Sequence, residues 1–241
     1  MTIVSHSRRF VFLKTRKTAG TSIEKWLAPL LVRGDIIATA TENLPVPVGF
    51  WDTPNQVSRL PGAEKILKRI CRYALKYPPG VRFREHMAAR DVRDVIGADA
   101  WDGYHRVCVE RDPWDRMISF WKWRQVREDR KVSLDAFLEQ IATAPGDRLV
   151  RGFSNIDIYT IDGRIAVDQV IPYRALHAGL EEFCKGCALP LSPASLPFQK
   201  AGHRSPGDSV RSLRPDQVEA ISRICRREID LLGWDFGREY G

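Results

Sequence analysis

The chain has 241 residues, 44% of them hydrophobic, which is enough for one α/β domain with a sizeable core and argues against two small ones, so residues 1–241 read as a single domain. A net charge of +8 fits simple solubility or an anionic ligand or partner, and taken alone it also suits a nucleic-acid binder. No apolar run approaches the roughly 20 residues of a membrane span, no signal-peptide core follows Arg8 and Arg9, and an odd set of five scattered cysteines fits reduced thiols, so the expected place is the cytoplasm.

The first element is the apolar run Phe10 to Leu13, short enough for a buried strand, followed by Ile23, Trp26, Leu27 and Leu30 at helical spacing. Between them runs Lys14-Thr15-Arg16-Lys17-Thr18-Ala19-Gly20-Thr21-Ser22. A strand, a small-residue turn and a helix start form an anion cradle, because unpaired N–H groups point out of the first helical turn and the helix dipole adds positive potential. Lys17 can put an ammonium on the same anion, and Thr21 and Ser22 can donate hydroxyl hydrogens. The stretch is not a nucleotide P-loop of the form G-x-x-x-x-G-K-[ST], since Lys17 precedes Gly20 and no glycine opens the turn. By itself it also fits an ordinary strand-to-helix connection with solvated lysines.

Asp35 to Ala40 reads as a short strand, and the proline- and glycine-rich stretch Asn43 to Gly62 as a loop or lid. Ala63 to Tyr77 reads as a helix whose basic face is either solvated or able to steer an anionic acceptor. Val81 to Phe83 suits a strand. A helix then follows Arg84-Glu85-His86-Met87 and ends at Gly97. Tyr104 to Val109 is a second buried strand running into Glu110-Arg111-Asp112-Pro113-Trp114-Asp115-Arg116. Asp112 is an N-cap and Pro113 a first helical residue, so Arg111 stands at the carboxyl end of a strand, where ligands collect in open α/β sheets. Ser133 to Ala142 is a short helix. Ile156 to Ile161 and Ile165 to Ile171, joined by Asp162-Gly163, read as a hairpin-like pair. Arg174 to Cys184 is helical, and Cys184 and Cys187 read as two thiols on a fraying helix end rather than a zinc or redox pair. A long loop carries Lys200 and Arg204. Asp216 to Leu232 is one amphipathic helix, started at Pro215 and stopped by Gly233.

Lys17-Thr18-Ala19-Gly20-Thr21-Ser22 resembles the 5′-phosphosulfate loop of sulfotransferases, and Arg111-Asp112-Pro113 with Asp115, Arg116 and Ser119 resembles their 3′-phosphate motif. Arg84 to Gly97 is similar to the His-containing segment of the carbohydrate branch, the one with the heparan and chondroitin enzymes and many bacterial relatives. Val167 to Ile171 and Asp230 to Phe236 resemble it more loosely. The chain departs from the family at Lys14, often His, at Arg16, often Pro, whose loss should only loosen the turn, and at Arg174, often acidic. The resemblance implies an α/β fold with a P-loop-like central parallel sheet flanked by helices. It also implies transfer of a sulfonate from 3′-phosphoadenosine 5′-phosphosulfate (PAPS) to a hydroxyl, less readily an amine, of a small-molecule or carbohydrate acceptor that can itself be anionic.

On that reading the amides of Thr18, Ala19, Gly20, Thr21 and Ser22 hold the 5′-phosphate, and Lys17 binds the bridging oxygen where charge grows. Arg111 forks onto the 3′-phosphate with Ser119 one helical step along. Lys200 and Arg204 either close over that phosphate or the adenine, or are mobile surface cations. His86 is the expected base, with Glu85 its neighbouring rival. No metal and no nucleic acid is expected. A P-loop kinase and a non-enzymatic basic module that binds polyanions are the alternatives.

Overall fold

The computed structural model describes residues 2–37, 86–150, 152–197 and 209–240. The expected loop over 43–62, the basic helix over 63–77, the strand over 81–83, and the side chains of Glu85, Lys200 and Arg204 lie outside these residues.

A central sheet flanked by helices is built from β1 (Thr2–Ser5), β2 (Phe10–Leu13), β3 (Ile36–Ile37), β4 (His105–Glu110) and β7 (Gln169–Pro172), in the order β3-β1-β2-β4-β7. A separate two-stranded ribbon joins β5 (Thr160–Ile161) to β6 (Arg164–Ile165). β2, β4 and β7 run parallel, while β1 pairs antiparallel with β2 and with β3. The continuous apolar reading of Phe10 to Leu13 has a direct cause. Successive strand side chains point to opposite faces, and here both faces are covered. Phe10 and Phe12 join Val107, Val109 and Ile171 on one face, packed against α1 (Gly20–Leu27), and Val11 and Leu13 join Cys108 on the other, with Trp101 and Tyr159.

Among the described residues, the longer helices besides α1 are α2 (Ala89–Ile96), α3 (Ala98–Gly103), α4 (Pro113–Arg127), α5 (Leu134–Thr143), α6 (Leu176–Gly186), α7 (Pro215–Ile224), α8 (Arg226–Leu232) and α9 (Phe236–Tyr240). α4, α5 and α7 enclose a third apolar cluster around Trp114, Phe120, Phe137 and Ile221. α6 packs on the sheet through Leu180 and Phe183, its Cys184 and Cys187 both free thiols.

The structure adds one strand to the sequence reading, amends two of its elements and bears out part of a third. Thr2 to Ser5, given no element by the sequence reading, is a buried strand, so His6 lies in the β1–β2 turn, its Nδ1 2.8 Å from the Tyr104 hydroxyl. The hairpin around Asp162-Gly163 is only two residues deep on each side. Ile156–Tyr159 is a helical turn, and Gln169–Pro172 leaves the ribbon to pair with β4. The final amphipathic helix is broken at Cys225, whose φ of −102° and ψ of 20° separate α7 from α8; Gly233, at φ 67°, supplies the left-handed stop. Of the stretch Asp35 to Ala40, Ile36 and Ile37 form strand, and the rest of its apolar end lies outside the described residues.

Candidate active site

Because β2 and β4 are parallel neighbours in register Leu13↔Cys108, the turns that follow them leave the same edge of the sheet side by side. That edge is the carboxyl end of both strands. The two motifs, roughly a hundred residues apart in sequence, meet there.

The first turn is shaped by two left-handed residues, Lys17 at φ 68° and Ala19 at φ 57°. Backbone of that kind presents successive N–H groups to one concave side. Ala19 stands at the N-cap of α1 with no side chain to accept an amide hydrogen, and no acidic residue occupies the first turn. The amides of Ser22 and Ile23 return to the Ala19 carbonyl at 2.9 and 3.1 Å, whereas those of Thr18, Ala19, Gly20 and Thr21 find no acceptor among the described residues. An open set of amides at the positive end of a helix dipole is suited to receive an anion.

Lys14 turns inward to α1. It is buried and donates to Glu24 of α1 at 3.1 Å. Its methylenes cross Gly20, where a Cβ would stand 2.5 Å from Lys14 Cγ, so the glycine is needed for close approach. Arg16, where loss of the family's proline was expected to loosen the turn, is hydrogen-bonded to the 154–155 segment. Its N–H donates to Asn155 Oδ1 at 2.9 Å, its carbonyl accepts from Asn155 Nδ2 at 3.2 Å, and its guanidinium donates to the Ser154 carbonyl at 3.0 Å. Thr15 Oγ1 donates to the Val109 carbonyl and lies 2.8 Å from Thr18 Oγ1, pinning the turn to β4. The Lys17 ammonium sits 5.1 Å from the ring centre of Trp123 on α4.

In the second turn Arg111 donates through Nη1 to the Lys17 carbonyl at 3.3 Å. Its other edge pairs with Asp115, and its guanidinium lies 4.4 Å from the ring centre of Tyr173, just after β7. Asp112 caps α4 by accepting from the Asp115 amide at 2.9 Å, with Pro113 at the first helical position. It also accepts from the Tyr240 hydroxyl at 2.7 Å, which fastens α9 to this turn, and burial raises its carboxyl above the ordinary range. Ser119 is half-buried, one turn beyond Asp115 and one before Trp123. Helical spacing puts these residues on one face, so Ser119 lies between the contacts of Arg111 and Lys17.

His86 approaches the first turn from the start of α2. Its φ is 54°, a conformation His accepts more readily than most residues. Nδ1 is 2.9 Å from the Lys14 carbonyl. A carbonyl oxygen only accepts, so Nδ1 carries the proton and Nε2 keeps its lone pair. Burial first, and nearby positive charges that include Arg16 and Lys14, push its pKa down to about 2. The ring is therefore neutral in the unliganded protein.

Beneath both turns lies a buried polar network that sequence spacing does not reveal. Glu110 accepts from the Arg111 amide at 2.8 Å and from Asn155 Nδ2 at 3.2 Å. Arg116 lies between Glu110, at 3.7 Å, and Glu228 of α8, at 3.3 Å. Burial alone would depress Arg116, but Glu110 leads the surrounding groups that hold it charged. Asn155 touches Arg16 across 139 residues of chain, a contact with no local signal.

No family model matches the chain, and no curated protein does either. Among solved structures it is similar to a sulfotransferase from Alicyclobacillus acidocaldarius, at 17% identity and a TM-score of 0.46, over 95% of this chain and 97% of that one. No helix among the described residues is long and apolar enough to cross a membrane.

Proposed function

We propose that this chain is a sulfotransferase that moves a sulfonate from PAPS to a hydroxyl, less readily an amine, of a small-molecule or carbohydrate acceptor. The observation that carries the reading is the bond from Arg111 to the Lys17 carbonyl, which joins an uncapped, amide-lined turn to a second turn bearing a guanidinium. A donor with a phosphosulfate at one end and a 3′-phosphate at the other needs two adjacent anion sites of this kind.

In this assignment the open amides from Thr18 to Thr21 and the hydroxyls of Thr21 and Ser22 bind the 5′-phosphate. The Ser22 amide is already given to Ala19, so Ser22 contributes through Oγ. Lys17 turns from Trp123 to the bridging oxygen. A cation–π contact is worth about 0.5–1 kcal/mol at an exposed site and a hydrogen bond to a charged group about 1.5–3, so the anion wins. Arg111 exchanges a neutral carbonyl acceptor for the 3′-phosphate while Asp115 keeps its other edge oriented, and Ser119 adds a hydroxyl. Lys200 and Arg204 are assigned to the same donor.

The acceptor oxygen attacks sulfur, and the bond from sulfur to the bridging oxygen breaks. Adenosine 3′,5′-bisphosphate leaves with that electron pair, stabilised by Lys17 and the amides. The acceptor proton passes to Nε2 of His86. Burial is the larger cause of this ring's low pKa; a polyanionic donor offsets the part due to nearby positive charge, so donor binding raises its basicity. A sulfonate carries less charge than a terminal phosphate, and Lys17 with the amides serves without a metal.

The test is calorimetric titration with adenosine 3′,5′-bisphosphate, followed by turnover of labelled PAPS over an acceptor panel in EDTA. Binding well above that of adenosine 5′-phosphate and turnover in EDTA are expected. Absence of binding, or activity that returns only with Mg²⁺, overturns the reading.

A further inference from the structure

We infer that Asn155 is a positioning residue, which sets the backbone of the Lys14–Ala19 turn from below and, through Glu110, locks that setting to Arg111. The inference rests on the sulfotransferase reading for its consequence in turnover, but the clamp itself stands on geometry.

Asn155 is fully buried, and every hydrogen-bonding group of its amide has a use. Oδ1 accepts from the Arg16 N–H at 2.9 Å, and Nδ2 donates to the Arg16 carbonyl at 3.2 Å and to Glu110 Oε1 at 3.2 Å. A primary amide that pairs with both sides of one residue acts as a short piece of β-ladder. It fixes the orientation of the peptides flanking Arg16, immediately before the left-handed Lys17. Whether the amides of Thr18 to Thr21 converge depends on how the chain enters this turn. The same Glu110 oxygen that meets Asn155 accepts the Arg111 N–H at 2.8 Å. One carboxylate thus registers the amide-bearing turn against the guanidinium-bearing turn.

The clamp is itself held. The Ser154 hydroxyl donates to Glu228 at 3.0 Å, Arg116 donates to the Phe153 carbonyl at 2.9 Å, and Arg16 reaches along this segment to the Ser154 carbonyl. Ser154 therefore belongs to the network without touching the Arg16 peptide, which makes it the natural control.

Asn155→Ala, Asn155→Asp and Ser154→Ala are compared with the wild type for thermal melting, for adenosine 3′,5′-bisphosphate affinity, and for kcat and KM with PAPS at saturating acceptor. Asn155→Ala is expected to weaken the nucleotide about tenfold and to lower kcat/KM for PAPS by about ten- to a hundredfold, the scale of a small misplacement of reacting groups, with acceptor KM unchanged. Asn155→Asp keeps the acceptor for the Arg16 N–H but sets a carboxylate against Glu110 and the Arg16 carbonyl, so it should lose at least as much. Ser154→Ala should lower the melting temperature and leave nucleotide affinity alone. Wild-type affinity in both Asn155 variants, or an equal loss in Ser154→Ala, overturns the inference. Amide hydrogen exchange on the wild type tests the clamp without any variant: the Arg16 N–H should exchange as slowly as that of Val11 in β2, and rapid exchange overturns it even if the Asn155 variants fail to fold. A wild type that ignores the nucleotide yet protects Arg16 sinks the sulfotransferase reading while keeping the clamp.

Discussion

Two helices start side by side at the same edge of the sheet, and they start in opposite ways. α4 is closed: Asp112 caps it, Pro113 removes one N–H, and Asp115 puts a second carboxylate in the first turn. α1 is open: Ala19 offers no cap, the first turn holds no acid, and four consecutive amides lack acceptors among the described residues. An N-cap side chain is worth about 1 kcal/mol to a helix, so leaving one out has a cost that an anion can offset on binding. The closed helix contributes an arginine beside its start, and the open one contributes its own backbone. On the proposed function, the difference separates two ways of holding a phosphate, one through a side chain oriented by Asp115 and Tyr173, the other through amides oriented by the turn itself.

The largest expected effect breaks the open side. Lys17 is the cation of the amide-lined turn, and Lys17→Ala should lower kcat by roughly 10²–10³, the scale for losing one preorganised donor to a developing charge, with a much smaller change in nucleotide affinity. Single-turnover measurement with labelled PAPS separates the two. A comparable loss in affinity alone would place Lys17 in ground-state binding. On the closed side, Arg111→Ala should weaken adenosine 3′,5′-bisphosphate about ten- to a hundredfold, since a hydrogen bond to a charged group is worth about 1.5–3 kcal/mol, and adenosine 5′-phosphate hardly at all. Equal weakening of both nucleotides would mean that Arg111 serves only to tie Lys17 to Asp115.

The two sides also differ in their response to pH, because His86 bears on the open one. A folded His86 with a pKa near 2 stays neutral where an unfolded one, near 6.5, takes up a proton. The unfolded state therefore binds more protons between those values, and stability falls as the pH drops below 6.5, by up to about 1.4 kcal/mol per pH unit. Above 6.5 the contribution is complete and flat. Denaturant titrations from pH 7.5 to 4.5 check this, and His86→Gln should flatten the slope. NMR titration of the imidazole should show its pKa rising when adenosine 3′,5′-bisphosphate binds. An ordinary pKa in the free protein would mean that the ring is not buried against Lys14.

Much of this comparison was legible in the sequence, and the limits are physical. The Phe10 to Leu13 run and the Tyr104 to Val109 run announced buried strands because both faces of the sheet are covered, and Asp112-Pro113 announced a capped helix because caps are local chemistry. The two strand-turn-helix units were legible and the resemblance implied a parallel sheet, but that their strands are parallel neighbours, which brings Lys17 to Arg111, is what the structure adds. What escaped was set by distance or brevity. β1 has only Ile3 and Val4 as apolar residues, and its strand character comes from pairing with β2 and β3. Asn155 sits between Phe153-Ser154 and Ile156, where no spacing singles it out, and its partners, Arg16 and Glu110, lie far away in the chain. Lys14 stood out only as a departure from the family, and Gly20 lets it pass inward to Glu24, a close approach that spacing does not encode.

The smallest effects sharpen the contrast between the two helix starts. Asp112→Ala removes the cap of α4 and the acceptor of the Tyr240 hydroxyl together. Loss of the cap alone should cost about 1 kcal/mol, and the freed α9 should raise proteolytic cleavage near the C-terminus. Ala19→Gly makes the opposite change at α1. An alanine held at φ 57° bears a left-handed penalty of about 1–2 kcal/mol, which glycine escapes, while glycine's greater loss of chain entropy on folding, about 0.5–1 kcal/mol, offsets part of the gain. Thermal melting should thus show Asp112→Ala destabilised and Ala19→Gly level with the wild type or slightly above it. Nucleotide affinity should stay within a few-fold of wild type in both, because neither change removes an amide or a cation. If Ala19→Gly instead loses the nucleotide, the open turn needs the stiffness of its left-handed alanine as well as its unpaired amides, and the strain there is part of the site.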